Sequence, residues 1–258
     1  INLIKKEIIM FTFKKFSVGM LTAGALMLGL AQNASAQAVD LELSLVIDVS
    51  GSVNSTEYNL MMKGYSDAFY DTDIQDRIMN GALKSIAVNT VFFASTATTT
   101  NSWTLLDSYS DIDAFAASLL TYTRPDGSCS TGLCTGTSIG SGMVASAASF
   151  TNAYTGTRLV MDVSGDGQNN TGTTVLAGYN AAVAAGTTVN GITIGGGTTL
   201  ETYYTNNVIT SGGFVIAATD FNDFTNGVKQ KILKEVTGVP EPTSLALLGL
   251  GLIGFTAT

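Results

Sequence analysis

The sequence predicts an α/β domain with a doubly wound, mostly parallel central sheet flanked by helices. Two observations support this fold class. Short apolar runs that are typical of buried strands alternate along the chain with stretches whose apolar residues recur at helical spacing. Such alternation implies parallel strands connected by helices on both faces of the sheet. A chain of 258 residues can hold one domain of this kind together with two tails.

The first helix shows the pattern most clearly. Tyr58, Met61, Tyr65 and Phe69 recur on one side of it, and such side chains suit a core better than a cofactor site. Strands are expected at 42–48, 85–93, 159–163, 189–194 and 213–218, with an edge hairpin partner at 103–106. Helices are expected at 57–70, 71–80 (or a turn there), 111–121 with Asp111 as N-cap, 138–153, 174–185, 201–209 and 221–236. In such folds the loops at the carboxyl ends of the strands form the functional site.

Residues 1–36 are expected to be an export signal. A basic pair, Lys14 and Lys15, precedes an apolar run at 18–31 and a small-residue cleavage site at 34–36. The apolar run is short for a transmembrane anchor. We therefore expect an exported protein from which this segment is removed.

Composition narrows the possible functions. The chain carries a net charge of −8, and residues 37–241 contain 8 basic and 19 acidic side chains. This acidity argues against nucleic acid and anionic membrane surfaces as partners and fits a protein that holds divalent cations. Because the sequence contains no histidine, Ser-His and Cys-His catalysis and histidine-bound zinc are excluded.

The two cysteines, Cys129 and Cys134, bracket a turn-prone tetrapeptide. In an exported chain we expect a disulfide that closes this small loop. Two free thiols or a redox pair are the alternatives, although the spacing differs from that of thioredoxin-like sites.

A polar loop follows the first strand. Asp48 ends the apolar run, and Ser50 and Ser52 follow at spacings of two residues, so their oxygens can point the same way if the loop stays extended. One carboxylate and two hydroxyls form a set of hard oxygen ligands suited to Mg²⁺ or Ca²⁺. The alternative is a strand followed by a Ser-capped helix, since Ser55 and Thr56 with Glu57 are also typical of a helix start.

Three stretches together resemble the von Willebrand factor type A (VWA) family. Asp48-x-Ser50-x-Ser52 is similar to the opening motif of that family's metal-ion-dependent adhesion site (MIDAS). The stretch 134–143 resembles the family's Gly-Thr loop, and 158–167 resembles its fourth strand. The resemblance covers roughly 41–236 and implies a metal site that also includes Thr137 and Asp166.

Asp162 lies within the third of these stretches, on the side of its strand opposite Val163. We expect a buried carboxylate hydrogen-bonded to loop amides, with a role as a metal ligand as the alternative.

The composition changes after Gly238. Pro240-Glu241-Pro242 precedes an apolar run at 245–255, and this tail resembles the PEP-CTERM sorting signal of Gram-negative bacteria, which an exosortase processes. Family tails usually end in a basic cluster, which is absent here. The apolar run is also short for a membrane span, so we expect only transient membrane contact. The expected organisation is an export signal at 1–36, a VWA-like domain at 37–238 and a sorting tail at 239–258.

The resemblance implies a non-catalytic binding module of the cell envelope, cell surface or extracellular matrix. It would use Mg²⁺, or Mn²⁺ or Ca²⁺, to bind an acidic group of a protein or polysaccharide ligand. The alternatives are a structural matrix or biofilm protein whose metal only stabilises the fold, and a metal-dependent hydrolase. The hydrolase would need a base beside the metal, for which Asp162 is the nearest candidate.

Overall fold

The structure is a computed structural model that describes residues 36–127 and 133–238. Cys129, residues 1–35 of the expected export signal and the Pro240-Glu241-Pro242 motif lie outside the described residues. In chain order the elements are β1 (Gln37–Val39), β2 (Leu41–Asp48), α1 (Ser55–Tyr70), α2 (Thr72–Met79), β3 (Ile86–Phe93), β4 (Ala97–Thr99), β5 (Thr104–Leu106), α3 (Tyr109–Leu119), α4 (Ile139–Ser149), β6 (Tyr154–Gly156), β7 (Leu159–Gly165), α5 (Val175–Ala184), β8 (Thr188–Ile194), α6 (Gly197–Asn207), β9 (Val215–Ala218) and α7 (Phe224–Thr237).

Within the described residues, seven strands form the central sheet in the order β4-β3-β2-β7-β8-β9, with β5 also paired to β3. The strands β3, β2, β7, β8 and β9 run parallel, whereas β4 and β5 pair antiparallel with β3 at the edge. The strands β1 and β6 form a separate parallel pair. The predicted α/β fold class with a mostly parallel sheet is confirmed.

Alternation along β2 shows how the sheet buries both of its faces. Leu43, Leu45 and Ile47 pack on one face with residues of α1, α3 and α7. Val46 packs on the other face with residues of α4, α5 and α6. All eight β2 residues are buried, as expected for a central parallel strand that is covered by helices on both sides. Among the described residues, no helix has both the length and the apolar character that a membrane span requires.

Several element boundaries differ from the expected ones. Helix α3 is capped by Ser108, whose hydroxyl accepts from the Asp111 N–H at 3.2 Å, so the prediction of Asp111 as N-cap is wrong. Helix α4 ends at Ser149 rather than at 153, because the chain then turns into β6. The strands β1, β4 and β6 have three residues each, which is too few to show a hydrophobic period. For this reason they are not among the strands expected from the sequence.

Candidate metal centre

The five side chains expected at a metal site lie together at the carboxyl edge of the sheet. Asp48 is the last residue of β2, and Asp166 directly follows β7. These strands are parallel neighbours, with Ile47 opposite Ser164, so their ends deliver both carboxylates to the same edge. Thr137 comes from the loop before α4, and its hydroxyl reaches Ser50 in the loop after β2. We call this group of Asp48, Ser50, Ser52, Thr137 and Asp166 the rim cluster.

Hydrogen bonds connect the hydroxyls of the rim cluster. Ser52 Oγ donates to Asp166 Oδ1 at 2.7 Å and lies 3.2 Å from Ser50 Oγ. Thr137 Oγ1 donates to Ser50 Oγ at 3.2 Å. The Ser50 N–H donates to Asp48 Oδ1 at 2.8 Å, which folds the loop back over its own strand end. Hydrogen bonds thus join two carboxylates and three hydroxyls into one group.

Burial dominates the electrostatics of these carboxyl groups. Asp48 is fully buried, and the loss of hydration raises its pKa to about 7, against the lowering effect of the Ser50 hydrogen bonds. The negative charge of Asp166 adds to the rise, while Arg124 opposes it. Burial also raises the pKa of Asp166, opposed by the Ser52 hydroxyl. Within the described residues, Asp48 Oδ2 is buried without a hydrogen-bond partner.

Arg124 and Asn170 support the rim cluster from outside it, and the sequence alone gave no sign of either role. The Arg124 guanidinium donates to the carbonyl oxygens of Val53 at 2.8 Å and Ser50 at 3.1 Å, which fixes the loop that carries both serines. Asn170 Oδ1 accepts from the Thr137 N–H at 2.9 Å. Both side chains act on backbone groups from distant loops, so no local spacing predicts them.

Gly165 leaves room for a close approach of two oxygens. A Cβ at this position would lie 2.6 Å from Tyr204 Oη and 2.9 Å from Asp48 Oδ2, which are closer than real Cβ contacts. Tyr204 is fully buried and its hydroxyl also has no hydrogen-bond partner among the described residues. Only glycine at position 165 therefore leaves space for the Asp48 carboxylate and the Tyr204 hydroxyl.

Asp162 does not belong to the rim cluster. It lies on the opposite face of β7, fully buried, where Lys231 Nζ is 2.5 Å from its Oδ1. The expected burial is correct, but the expected loop-amide partners are wrong. Its partners are the lysine and the Tyr65 hydroxyl, which donates to Oδ1 at 3.2 Å. The partners come from α7 and α1, about 70 to 100 residues away along the chain, beyond the reach of sequence patterns.

The donors of the rim cluster are all oxygens, as Mg²⁺, Mn²⁺ and Ca²⁺ prefer. No group of three or more His, Cys, Asp and Glu side chains that could hold a metal occurs in residues 36–127 and 133–238. The rim cluster has two such groups and completes its donor set with hydroxyls. Its chemistry, together with the unpartnered Asp48 Oδ2, fits a hard divalent cation.

Solved structures with a similar fold include a VWA protein, a matrix protein and a pilus adhesin. Proximal thread matrix protein 1 from the mussel byssus, in a form described as having a zinc-occupied MIDAS motif, is 19% identical with a TM-score of 0.57, over 79% of this chain and 49% of that one. A von Willebrand factor type A protein from Catenulispora acidiphila is 14% identical with a TM-score of 0.54, over 77% of this chain and 43% of that one.

The pilus adhesin SpaC from Lactobacillus rhamnosus GG is 13% identical with a TM-score of 0.54, over 77% of this chain and 31% of the adhesin. The chain thus spans half or less of the length of these proteins. At these identities the likeness defines the fold, which is that of VWA domains.

The family itself is defined by sequence. A family model described as a protein of unknown function (DUF1194) matches residues 38–240, and the chain belongs to this family. The PEP-CTERM protein-sorting motif matches residues 238–258, which indicates a secreted bacterial protein associated with the cell envelope. Among curated proteins, none matches the chain significantly.

Proposed function

We propose that this protein is an exported, non-catalytic binding module that holds a divalent cation in the rim cluster and uses it to bind an acidic group of a ligand. The observation that carries the proposal is the convergence of a buried carboxylate, Asp48, a half-buried one, Asp166, and three hydroxyls at one edge of the sheet. Holding two carboxylates close together with one of them buried is costly, and a bound divalent cation removes that cost.

Asp48, Ser50 and Ser52 would bind the metal directly, and Thr137 and Asp166 would complete the shell directly or through water. Mg²⁺ is the proposed ion, because a small shell rich in hydroxyls leaves positions for water in an octahedron. Mn²⁺ or Ca²⁺ could substitute, and the zinc in the mussel protein belongs to that protein. The bound ion would supply a positive charge with an open coordination position for a ligand carboxylate.

The proposed module is not an enzyme. A metal-dependent hydrolase needs a base positioned beside the metal. Asp162, the expected candidate, is paired with Lys231 on the other face of the sheet. Glu57 lies near Asp166, but its carboxylate accepts from the Asn54 N–H at 2.8 Å as part of the cap of α1.

Titration calorimetry of the mature protein with MgCl₂ and MnCl₂ tests the metal site. We expect one ion per chain for the native protein and no binding heat for Asp48→Asn or Ser52→Ala. Asp220→Asn is the matched control, since Asp220 is an exposed carboxylate in the loop after β9 at the same edge of the sheet. Equal heats for the native protein and Asp48→Asn would exclude the rim cluster as the metal site.

A surface of carboxymethylated dextran, with unmodified dextran as its neutral control, tests the ligand class. We expect retention on the carboxylated surface with Mg²⁺, and loss of retention with EDTA or with excess free acetate. A structural matrix protein is the second candidate, favoured by the likeness to a byssal thread matrix protein. In that case Mg²⁺ would stabilise the fold, and the carboxylated surface would retain nothing.

The sorting motif suggests that an exosortase-type enzyme processes the tail at the envelope of a Gram-negative bacterium. Deleting residues 239–258 should release a folded, metal-binding protein into the medium. If the truncated protein remains bound to cells as well as the full chain does, the tail is not needed for retention.

We also propose a disulfide between Cys129 and Cys134, which would close a small loop just before Thr137 in the sequence. Alkylation of the exported protein without reductant should label neither cysteine. Labelling of both would contradict the pairing.

A further inference from the structure

Another group of buried charges lies beneath α7, on the opposite face of the sheet from the rim cluster. Asp162 and Lys231 are both fully buried, and Lys231 Nζ lies 2.5 Å from Asp162 Oδ1. The same nitrogen lies 2.7 Å from Oε1 of Glu235, one helical turn further along α7. A lysine amine is thus held between two carboxyl groups in an apolar interior. We call these three residues the core triad.

Neighbouring side chains orient the core triad. The Tyr65 hydroxyl donates to Asp162 Oδ1 at 3.2 Å, and Asn190 Nδ2 donates to Glu235 Oε1 at 2.9 Å. Asn190 is the register partner of Asp162 on the adjacent strand β8. Asp162 Oδ2 and Glu235 Oε2 are buried without a hydrogen-bond partner among the described residues. Each carboxyl group therefore has one buried oxygen that accepts no hydrogen bond from the described residues.

We propose that Lys231 and Asp162 condense into an intramolecular amide, an isopeptide bond, and that Glu235 carries the protons of the reaction. This modification does not depend on the proposed metal site, which lies on the other face of the sheet. The core triad would then catalyse its own modification without an external substrate.

The reaction balances without a cofactor. A proton first moves from the Lys231 ammonium through Glu235 to Asp162 Oδ2, which gives an amine and a carboxylic acid. The amine then adds its lone pair to Asp162 Cγ, forming the C–N bond, and the Tyr65 hydroxyl stabilises the negative charge that develops on Oδ1. Glu235 accepts a second proton from the nitrogen and passes it to Asp162 Oδ2. The C–Oδ2 bond then breaks, and one water molecule leaves. The ammonium and carboxylate have become an amide and water, and Glu235 is regenerated.

Burial and position both favour this condensation. Separated charges are poorly solvated in the core, so exchange of an ion pair for a neutral amide removes a desolvation cost. Lys231 Nζ already lies 2.5 Å from Oδ1 of the carboxyl group that it would attack, which replaces an encounter in solution by an intramolecular step. Burial raises the pKa of Glu235 to about 7, so this carboxyl group can both hold and release a proton. Glu235 and Asn190 line an open cavity of about 760 Å³, through which the water can leave.

The amide would connect the last described helix to the middle of the sheet. Helix α7 ends at Thr237, and the matched sorting motif begins at residue 238. Force applied to an envelope-held tail would enter the domain through α7. A covalent bond between α7 and the central strand β7 would transmit that force directly to the sheet. The noncovalent contacts of α7 would then not have to bear it.

A second ion pair provides an internal control. Lys63 Nζ and Asp67 Oδ2 are also 2.5 Å apart, but both side chains are partly exposed, and α1 offers no third carboxyl group in contact with them. Water solvates this pair, so condensation would remove little desolvation cost there. Distance alone would make both pairs react, whereas the proposed chemistry predicts reaction only in the core triad.

Mass spectrometry of the full-length exported protein, after reduction of cysteines, tests the proposal. We expect an intact mass lower than the sequence mass by one water. Tryptic digestion should yield a branched peptide that joins 159–229 to 230–234, because an acylated Lys231 resists cleavage. Asp162→Ala and Glu235→Gln should both restore the full mass and the linear peptides, with circular dichroism confirming that each variant is folded.

Each result decides the assignment. A full-mass, folded native protein without the branched peptide would overturn the proposal. A loss of ammonia instead of water would overturn Asp162 as the acceptor and point to Asn190. A cross-link that persists in Glu235→Gln would overturn the role of Glu235. A cross-link between Lys63 and Asp67 would show that proximity, rather than the core triad, drives the reaction.

Discussion

The rim cluster and the core triad each hold two carboxyl groups, on different sides of one sheet, and they balance the charges differently. Both carboxyl groups of the core triad are buried, whereas in the rim cluster Asp48 is buried and Asp166 is half-buried. In the core triad, Lys231 contacts both Asp162 and Glu235. In the rim cluster, Asp48 and Asp166 have hydroxyls as neighbours, and Arg124 donates to backbone carbonyls rather than to either carboxylate. The core thus compensates its carboxyl groups with a lysine of its own chain, whereas the proposed function has the rim compensated by a cation from solution.

Loss of the internal cation should have the largest effect. Lys231→Met leaves Asp162 and Glu235 buried with neither the ion pair nor the proposed amide, so we expect the free energy of unfolding to fall by at least about 3–5 kcal/mol. Urea denaturation measures it. Lys63→Met, which removes an exposed ion pair, should cost about 0–1 kcal/mol. Similar losses of unfolding free energy in the two variants would contradict the difference expected between a buried and an exposed pair.

The metal-free protein should lose stability as pH rises. The folded-state pKa values of Asp48 and Glu235, about 7, exceed their ordinary values of 3.8 and 4.5. The folded protein therefore binds more protons than the unfolded chain between about pH 4 and 7, and its free energy of unfolding falls through that interval. For Asp48 the loss is about 3 kcal/mol.

Urea denaturation in EDTA at pH 5 and pH 8 measures this loss. Asp48→Asn should remove the rim cluster's contribution to this loss of stability, and Glu235→Gln should remove the contribution of the core triad. A metal-free protein that is more stable at pH 8 than at pH 5 would contradict both contributions.

Added Mg²⁺ should stabilise the native protein at pH 8 by about 2.7 kcal/mol when its concentration is 100 times the dissociation constant. Asp48→Asn should lose this gain, because the rim then lacks one of its charges. Any Lys231→Met protein that folds should keep it, since the two clusters lie on different faces. Melting curves with and without Mg²⁺ test this, and a gain that persists in Asp48→Asn places the cation elsewhere.

Gly165→Ala should have the smallest of these effects, a loss of about 1–3 kcal/mol, because the new methyl group displaces Asp48 Oδ2 and Tyr204 Oη. It should also weaken Mg²⁺ binding. Gly167→Ala is the matched control, since the nearest atom to its added Cβ is Thr137 Oγ1 at 3.9 Å. If the two variants behave alike in denaturation and calorimetry, close packing at Gly165 does not position Asp48.

The sequence by itself determined the fold class and brought the rim residues into one hypothesis. The strands β2, β3, β7 and β8 are long enough to show their apolar character, and parallel strands place their carboxyl ends at one edge. Asp48, Asp166 and the Thr137 loop could therefore be assigned to the same place before any distance was known.

Only the tertiary structure decided which distant side chains meet. Arg124 reaches the serine loop, Tyr204 covers Gly165, and Lys231 joins Asp162 across the core. Local patterns report the period of an element and the face of a residue, but they carry no information on which helix packs over that face. The partners of a buried charge depend on that packing, because burial makes an uncompensated charge costly. For this reason the sequence could identify Asp162 as buried, but not the lysine that compensates it.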